Sequence, residues 1–377
     1  MASFGYGGQA LIEGVLMRGR HALAVALRHP DGSIVWAVER LDMGMRASRS
    51  LRLPFLRGLV VLYDTLVTGT RWLVRSATLQ AIGLEAEIRA EEAAKSTSNA
   101  AASDTAGLND PDAAGRAPAA SDAEKGLGAG YTVAVGVMLL LSLLLGVGIF
   151  FLLPLLLAQF TVGRADHGLL YQLTEGLIRV AIFIAYLLIV ARAPDVRRTF
   201  QYHGAEHMSI HTLENGDPLT VEAARRYPTA HPRCGTEFLV VVLIVSILAF
   251  ALVGSGPLWY LVISRVILIP VIAAVSYEVL QFGARHRDRA AVRWLWSPGI
   301  WVQKITTRQP TDDMIEVAIV SLERALVANG GEIPSGSTMF ACRPMDSTDL
   351  AGTPEQETGA VTEPAADVAA PAPEARP

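Results

Sequence analysis

Long apolar runs, separated by polar segments, dominate the hydropathy pattern of this chain. They extend over Tyr131–Ala158, Leu169–Ala191, Phe238–Val253 and Leu258–Tyr277. A helix needs about 20 mainly apolar residues to cross a bilayer. A globular core could hold one such run, but four in one chain favour a membrane bundle, so the pattern predicts four transmembrane helices. The turn GSGP at Gly254–Pro257 would join the last two as a hairpin.

Basic residues are distributed unevenly among the loops between these runs. Between the first two runs Arg164 is the only Lys or Arg, and the GSGP turn has none. The loop between the second and third runs carries Arg192, Arg197, Arg198, Arg225, Arg226 and Arg233. Since basic residues mark the cytoplasmic side, we expect this loop and both termini of the multi-pass chain to be cytoplasmic.

Shorter periodic segments predict a small cytoplasmic α+β portion. Alternation on both sides of a polar turn in Ala22–Leu41 is typical of a β-hairpin. Pro310–Gly331 begins with acidic residues and ends with Asn-Gly-Gly, which predicts an amphipathic helix. Its apolar face would consist of Ile315, Ala318, Ile319, Leu322 and Leu326.

A further helix is predicted after Leu53, where Arg57, Asp64 and Arg71 recur seven residues apart. A narrow polar stripe on an otherwise apolar helix suits the membrane interface or the side of a helix bundle. A further membrane span is the alternative, which the recurring charges make less favoured. Ala86–Gly130 and Arg343–Pro377 are biased towards small, polar and Pro residues, which favours disorder.

The predicted fold class is therefore a polytopic α-helical membrane protein with four transmembrane helices and a small cytoplasmic α+β portion. The predicted regions are the hairpin region (1–52), the interfacial helix (53–85), the disordered linker (86–130), transmembrane helices one and two (131–192), the cytoplasmic loop (193–236), transmembrane helices three and four (237–278), the C-terminal cytoplasmic region (279–342) and the disordered tail (343–377).

Composition excludes several classes of function. The two cysteines, Cys234 and Cys342, are too few for a disulfide framework. The glycines near the start lack the Lys of a phosphate-binding loop, so nucleotide binding is not predicted. The basic residues follow the membrane loops rather than a patch with stacking aromatics, which argues against a nucleic-acid partner.

The stretch QYHGAEHMSIH carries the clearest candidate chemistry. On a helix, His203, His207 and His211 share one face, with Glu206 beside them. The order His-x-x-Glu-His matches the inverted zincin pattern, in which two histidines bind zinc and the glutamate activates a water. The remaining ligand would be His231, Cys234 or Glu278. The alternative is that the histidines contact carbonyl groups or lipid headgroups; for His211 we expect a polar surface role.

The opening motif adds Glu13 and Arg18 as further candidates. Glu13 could complete a metal site and Arg18 could meet an anionic group. We favour the structural interpretation, in which the two form an ordinary surface pair between turn-forming glycines.

Two predicted spans contain charges. With both helices running inward from the outer face of the membrane, Glu175 and Arg265 would lie at similar depth, roughly 9 and 10 Å from that face. Because an unpaired charge there is costly, we predict that they pair, with Arg179 nearby.

Five longer motifs carry a family resemblance. They are GGQALIEGVLMRGR (Gly7–Arg20), FLRGLVVLYDTLVTGTRWLVRSA (Phe55–Ala77), RTFQYHGAEH (Arg198–His207), HPRCGTEF (His231–Phe238) and SPGIWVQKITTRQPTDDMIEVAI (Ser297–Ile319). In this order they resemble the YqhQ-like family of bacterial membrane proteins, a family of unknown function labelled a predicted metal-dependent enzyme. The resemblance implies a bacterial plasma-membrane protein and strengthens metal binding at His203 and His207.

Two principal hypotheses of function follow. The first is a metal-dependent hydrolase, with zinc as the cofactor and Glu206 as general base, acting beside the lipid bilayer on a membrane-associated substrate. The second is a non-enzymatic scaffold or assembly factor that docks a cytosolic protein partner. Transport through the bundle is less favoured, because one charge pair leaves little room for a polar path. The sequence does not predict the oligomeric state.

Overall fold

The computed structural model describes residues 5–41, 53–103, 137–138, 140–142, 144–162, 169–232, 234–254, 256–286, 289–346 and 349. The strands are β1 (Gly7–Leu11), β2 (Gly14–Arg18), β3 (Ala22–Arg28), β4 (Ile34–Arg40) and β5 (Cys342–Pro344). The helices are α1 (Leu56–Ser103), α2 (Leu153–Val162), α3 (Leu169–Val190), α4 (Pro194–Glu214), α5 (Val221–Ala224), α6 (Thr236–Val253), α7 (Leu258–Arg285), α8 (Ala290–Thr306) and α9 (Asp312–Ala328).

The chain divides into two compact units. The first comprises residues 1–84, 188–242 and 273–377, and the second comprises residues 85–187 and 243–272. The candidate chemistry of the histidine motif lies in the first unit, and the predicted charge pair lies in the second.

A five-stranded sheet in the order β1-β2-β3-β4-β5 organises the first unit. The first four strands are antiparallel, and β5 joins β4 in parallel. The predicted hairpin is therefore present as β3 and β4, with Ala22 opposite Arg40 and Arg28 opposite Ile34. Asp31 and Gly32 form its turn, where Gly32 has a φ of 86° that favours glycine.

Both faces of the sheet are covered, and this explains why its strands are apolar on both sides. Val15 and Ala24 face a core shared with α4 and α9. Leu16 and Val25 face the opposite core, which includes Trp72 of α1. The first unit is thus a layered α/β/α arrangement around the sheet.

The C-terminal helix matches its prediction. α9 begins with Asp312 and Asp313 in its first turn and ends at Ala328, with Asn329 as the C-cap before Gly330, which has a φ of 75°. The five predicted apolar positions are all buried: Ile315, Ala318, Ile319, Leu322 and Leu326. Val317, Val320 and Ala325 are buried as well, because α9 packs between the sheet and α4.

Two predictions of disorder need correction. α1 continues to Ser103, past the predicted start of the linker at Ala86. This part of the sequence is rich in Ala and Glu, which are strong helix formers. The tail predicted from Arg343 begins inside β5, and Met345 N donates to Trp36 O at 2.8 Å. Residues 104–130, 347–348 and 350–377 lie outside the described residues.

Four helices are long and apolar enough to cross a membrane: Leu140–Val162, Leu170–Val190, Thr236–Val253 and Trp259–Arg285. They coincide with the four predicted runs, although residues 131–136 of the first lie outside the described part of the chain. Large apolar side chains such as Phe160 (94% exposed) and Leu252 (88% exposed) face outward from them. The combination of four such helices with a small sheet is typical of a membrane protein.

The second unit buries a cluster of three charges. Glu175 accepts from Arg179 at 2.6 Å and from Arg265 at 2.7 Å, and each of the three residues is at most 3% exposed. Both guanidinium groups lie 4.7 Å from the ring centroid of Phe250. Arg179 Nε also donates to the carbonyl of Phe150, inside a π-helical segment at Gly148–Leu152. A π-helical turn interrupts the regular hydrogen-bond ladder, which makes such a carbonyl accessible.

Candidate metal centre

α4 presents the histidine motif on one face and core residues on another. The helix begins with Pro194, and Asp195 lies in its first turn. Tyr202, Ala205 and Met208 are fully buried in the core shared with the sheet and α9. This packing fixes the rotation of α4 about its axis and therefore the direction of the histidine face.

Gly204 allows a close approach on that helix. A Cβ atom at this position would lie 2.1 Å from the carbonyl oxygen of Arg308. Arg308 N in turn donates to Phe200 O at 2.9 Å. The segment after α8 therefore lies directly against α4, and this contact brings the backbone of Thr306 to His203.

The imidazole of His203 is held by this backbone. His203 Nδ1 lies 2.8 Å from Thr306 O. A carbonyl oxygen only accepts, so Nδ1 carries the proton and Nε2 keeps its lone pair. His203 Nε2 lies 3.2 Å from Cys234 Sγ.

His207 repeats the arrangement one turn later. Its Nδ1 donates to Thr229 O at 2.6 Å. Its Nε2 is buried and has no hydrogen-bond partner among the described residues. Burial, followed by the nearby His203, lowers the pKa of His207 to about 2, so the ring is neutral and able to bind a cation.

Cys234 supplies a third donor. Its Sγ accepts from Thr236 Oγ1 at 3.1 Å, and burial, followed by the charge of Glu206, raises the pKa of the thiol to about 12. The ligand atoms of His203, His207 and Cys234 all lie within 4.8 Å of one another. We call these three residues the first donor cluster.

The first donor cluster fits a zinc ion. Nitrogen and sulfur ligands of one tetrahedral zinc lie roughly 3.3–3.6 Å apart, close to the 3.2 Å between His203 Nε2 and Cys234 Sγ. Histidines that bind metals usually donate their other ring N–H to a carbonyl or carboxylate, as His203 and His207 do. The orphaned Nε2 of His207 is the atom that such an ion would satisfy.

Glu206 lies beside this cluster in a buried position. It is 3% exposed, and within the described chain its Oε2 has no hydrogen-bond partner. Burial raises the pKa of Glu206 to about 7, against the opposing effects of His203 and of a hydrogen bond from the backbone of Gly8. A Cβ atom on Gly8 would lie 2.8 Å from Glu206 Oε1, so the carboxyl group needs glycine there.

His231 belongs to a different group. Its Nε2 lies 3.3 Å from Glu214 Oε2, and its ring centroid is 4.4 Å from that of His211. The ligand atoms of His211, Glu214 and His231 lie within 4.8 Å of one another, and we call them the second donor cluster. His211, predicted to have a polar surface role, is therefore half-buried in a group of donors.

The structure places Glu278 away from both clusters, which corrects its prediction as a ligand. Its carboxylate accepts from Arg57 Nε at 2.8 Å and from the backbone N–H of Phe55 at 3.1 Å. The position at the end of the fourth run did not indicate this, because the partner comes from α1, more than two hundred residues earlier in the chain.

The predicted surface pair Glu13–Arg18 is also wrong. Arg18 pairs with Asp64 of α1. Glu13, with a φ of 56°, accepts from Arg198 Nη2 at 2.6 Å and from Tyr202 Oη at 3.2 Å. Glu13 and Arg18 therefore each connect the β1–β2 hairpin to a helix.

A cavity of about 1020 Å³ in the first unit gives access to the first donor cluster. Residues from β1, α1 and α4 line it together with His231, Cys234, Gly235 and Thr236. Val60, Val61 and Ile210 supply apolar surface, and Gly7 and Gly8 supply backbone. In the described part of the chain no strand pairs with the outer edge of β1.

Sequence reasoning missed several residues that shape the site. The carbonyl groups of Thr229 and Thr306 orient the histidines, yet a backbone carbonyl leaves no signal in residue identity. Gln303 forms two hydrogen bonds with the backbone of His231: its Oε1 accepts from the N–H, and its Nε2 donates to the carbonyl. Only its position inside the shared motif SPGIWVQKITTRQP could have drawn attention to it.

Comparisons with known proteins identify the family. Residues 53–328 match the family described as "Protein of unknown function (DUF1385)". The chain is 31% identical over 321 residues to "Uncharacterized protein YqhQ" of Bacillus subtilis (strain 168), an alignment that covers 85% of this chain and 92% of that protein. No solved structure matches the chain. The resemblance carried by the motifs is thus confirmed, and the chain belongs to the YqhQ-like (DUF1385) family.

Proposed function

We propose that this protein is a zinc-dependent hydrolase that acts on a membrane-associated substrate at the cytoplasmic face of the bacterial plasma membrane. One observation carries the proposal. Two neighbouring imidazoles donate Nδ1–H to backbone carbonyls, which leaves both Nε2 atoms available beside a buried thiol. This arrangement prepares three ligands for one ion, and three protein ligands with one open position characterise catalytic zinc sites.

The residues have distinct roles in this proposal. His203, His207 and Cys234 would hold the ion, which when bound polarises a carbonyl group and lowers the pKa of water. Glu206, whose Oε2 is buried without a partner in the described chain, would accept the proton of the attacking water. It would then deliver this proton to the leaving group, so that water is added across the broken bond.

The order of the elements along the chain supports a location beside the membrane. Cys234 lies two residues before Thr236, the first residue of a candidate span. α4 begins at Pro194, shortly after the span that ends at Val190. The basic loop that contains both clusters favours the cytoplasmic side.

The cavity favours an extended peptide as the substrate. β1 is an edge strand, and its exposed Gly7 and Gly8 line the same cavity as Glu206 and His207. An edge strand offers backbone donors and acceptors to a peptide that adds as a further strand. The apolar wall formed by Val60 and Val61 would accommodate the hydrophobic side chains of a membrane-derived segment.

Element-specific metal analysis of the full chain, extracted gently into detergent, tests the metal. We expect zinc in the wild type, loss of the zinc at the first donor cluster in His203→Ala/His207→Ala and in Cys234→Ser, and retention in Glu206→Gln. His21→Ala, a change at an exposed histidine, is the matched control. Zinc that survives the double histidine change with undiminished stoichiometry would contradict the proposed ligands.

Comparison of new peptide N-termini in membrane fractions tests the reaction. Cells that express the wild type should contain cleaved products that are absent with Glu206→Gln, although both proteins hold zinc. Identical product profiles, with zinc present in both, would reject peptide hydrolysis and favour a scaffold that docks a cytosolic protein and contains a structural metal.

A further inference from the structure

We propose that the second donor cluster, His211, Glu214 and His231, is a separate binding site for a divalent transition-metal ion such as zinc. The proposal does not depend on the hydrolase function. It rests on the arrangement of three donors, on the orientation of their rings and on the contacts that hold them in place.

The donors converge from two segments of the first unit. His211 and Glu214 lie three residues apart on α4, a spacing that places both side chains on one face of the helix. His231 comes from the loop that follows α5, and its ring centroid is 4.4 Å from that of His211. The three ligand atoms lie within 4.8 Å of one another.

A backbone carbonyl orients the ring of His211. His211 Nε2 lies 3.0 Å from the carbonyl oxygen of Ala230, to which it donates. Nδ1 is therefore the atom with the lone pair. A ring nitrogen that donates to a backbone carbonyl while the other nitrogen binds the ion is the usual arrangement of metal-binding histidines.

The distance between His231 and Glu214 also suits an ion. His231 Nε2 lies 3.3 Å from Glu214 Oε2, whereas a charge-assisted hydrogen bond to a carboxylate is about 2.7–2.9 Å long. Nitrogen and oxygen ligands of one tetrahedral zinc lie roughly 3.3–3.5 Å apart. Two imidazoles and one carboxylate are a donor set that first-row divalent metals accept.

Buried contacts hold His231 in place. Its backbone N–H donates to Gln303 Oε1 at 2.9 Å, and its carbonyl accepts from Gln303 Nε2 at 3.0 Å. Gln303 is fully buried. The ring of Tyr227 stacks on that of His211, with 5.8 Å between the ring centroids and 13° between the ring planes. Glu214, with 30% of its side chain exposed, leaves the cluster open to ions from solvent.

The two donor clusters would bind separate ions. Along the axis of α4 the midpoint of His203 and His207 and that of His211 and Glu214 are roughly 11 Å apart, at about 1.5 Å of rise per residue. The nearest rings of the two clusters, those of His207 and His231, have centroids 5.7 Å apart. Two metals that share a reaction lie about 3.5–4 Å apart. The second ion would therefore fasten the loop at His231 to α4 and so hold Cys234, three residues later, at the first cluster.

Zinc titration of the metal-stripped, full-length protein in detergent tests the second site. We expect two equivalents of bound zinc in the wild type and one in His211→Asn and in Glu214→Gln. Glu222→Gln, at an exposed acid of α5, should keep two. Cobalt substitution distinguishes the ions, because only the site with Cys234 should give a thiolate charge-transfer band. That band should persist in His211→Asn and Glu214→Gln and disappear in His203→Ala/His207→Ala.

The stoichiometries separate the two proposals. If the wild type binds one equivalent of zinc and both His211→Asn and Glu214→Gln retain it, the second site is overturned and the proposed hydrolase centre stands. If the wild type binds one equivalent and only His211→Asn and Glu214→Gln lose it, the hydrolase centre is overturned and the second site stands. Melting temperatures show whether a variant has lost its site or has misfolded. Zinc should raise the melting temperature of His203→Ala/His207→Ala, and adding Glu214→Gln to this variant should abolish that rise. A rise that is unchanged by Glu214→Gln would also overturn the second site.

Discussion

Arg265 Nη2 donates to Glu175 Oε2 at 2.7 Å, although the two residues lie 90 positions apart in the chain. Arg179 donates to the other carboxylate oxygen at 2.6 Å. Glu175 therefore bridges two guanidinium groups in a buried setting. With two bases and one acid the cluster carries a net positive charge, and the nearby face of Phe250 partly stabilises it.

The first prediction concerns this cluster. Glu175→Gln and Arg265→Gln should each destabilise the protein by roughly 3 kcal/mol, because breaking a buried pair leaves an uncompensated charge. The double variant should lose less stability than the sum of the two single losses, with a coupling free energy of about 1–3 kcal/mol. Thermal unfolding in detergent measures all three, with Ser264→Ala as the neighbouring control. Strictly additive losses would mean that the pair contributes nothing.

The second prediction concerns Glu278. Because its carboxylate is committed to Arg57 and the backbone of Phe55, Glu278→Gln should leave the zinc content unchanged. The pair is partly exposed, so we expect a stability loss of at most about 1 kcal/mol. Loss of zinc in this variant would restore Glu278 as a ligand.

The third prediction concerns Gly204. Alanine normally stabilises a helix by about 1 kcal/mol relative to glycine, but here its Cβ would lie 2.1 Å from Arg308 O. A backbone oxygen cannot rotate away, so Gly204→Ala should destabilise the protein by roughly 1–3 kcal/mol and weaken zinc binding through displacement of Thr306. At Gly235 a Cβ would meet no atom within 4 Å. Gly235→Ala should therefore leave zinc affinity unchanged, and equal effects at both positions would contradict the steric explanation.

The fourth prediction concerns pH. Burial raises the pKa of Glu323 to about 7 from its usual value of 4.5, against the opposing charge of Arg324. The folded state therefore favours the protonated acid. This contribution to stability is fully present below about pH 4.5 and is lost as the pH rises through about 7.

Replacement of the carboxyl group by a neutral amide should remove this loss. Glu323→Gln should resemble the wild type at pH 5 and exceed it at pH 8, by on the order of 1–3 kcal/mol. Melting temperatures of the two proteins between pH 5 and pH 8 measure the difference, with Glu316→Gln on the same helix as the control. A difference that does not change with pH would show that Glu323 does not titrate in this window.

The sequence by itself determined the elements that depend on local periodicity. Four apolar runs predicted the four helices long enough to cross a membrane, and alternation around Asp31-Gly32 predicted the β3–β4 hairpin. The 3.6-residue period fixed α9 and placed His203, Glu206 and His207 together on α4. These features follow from neighbours within a few positions, so residue identity alone is sufficient.

The tertiary structure alone decided which distant groups meet. It brought Cys234 to His203, committed Glu278 to Arg57 and joined His231 to His211 and Glu214. It also set both imidazole tautomers through the carbonyls of Thr229 and Thr306, and it added β5 where composition favoured disorder. Each of these contacts depends on how remote segments pack, and backbone carbonyls are the same at every residue. A pattern of side chains therefore carries no information about them.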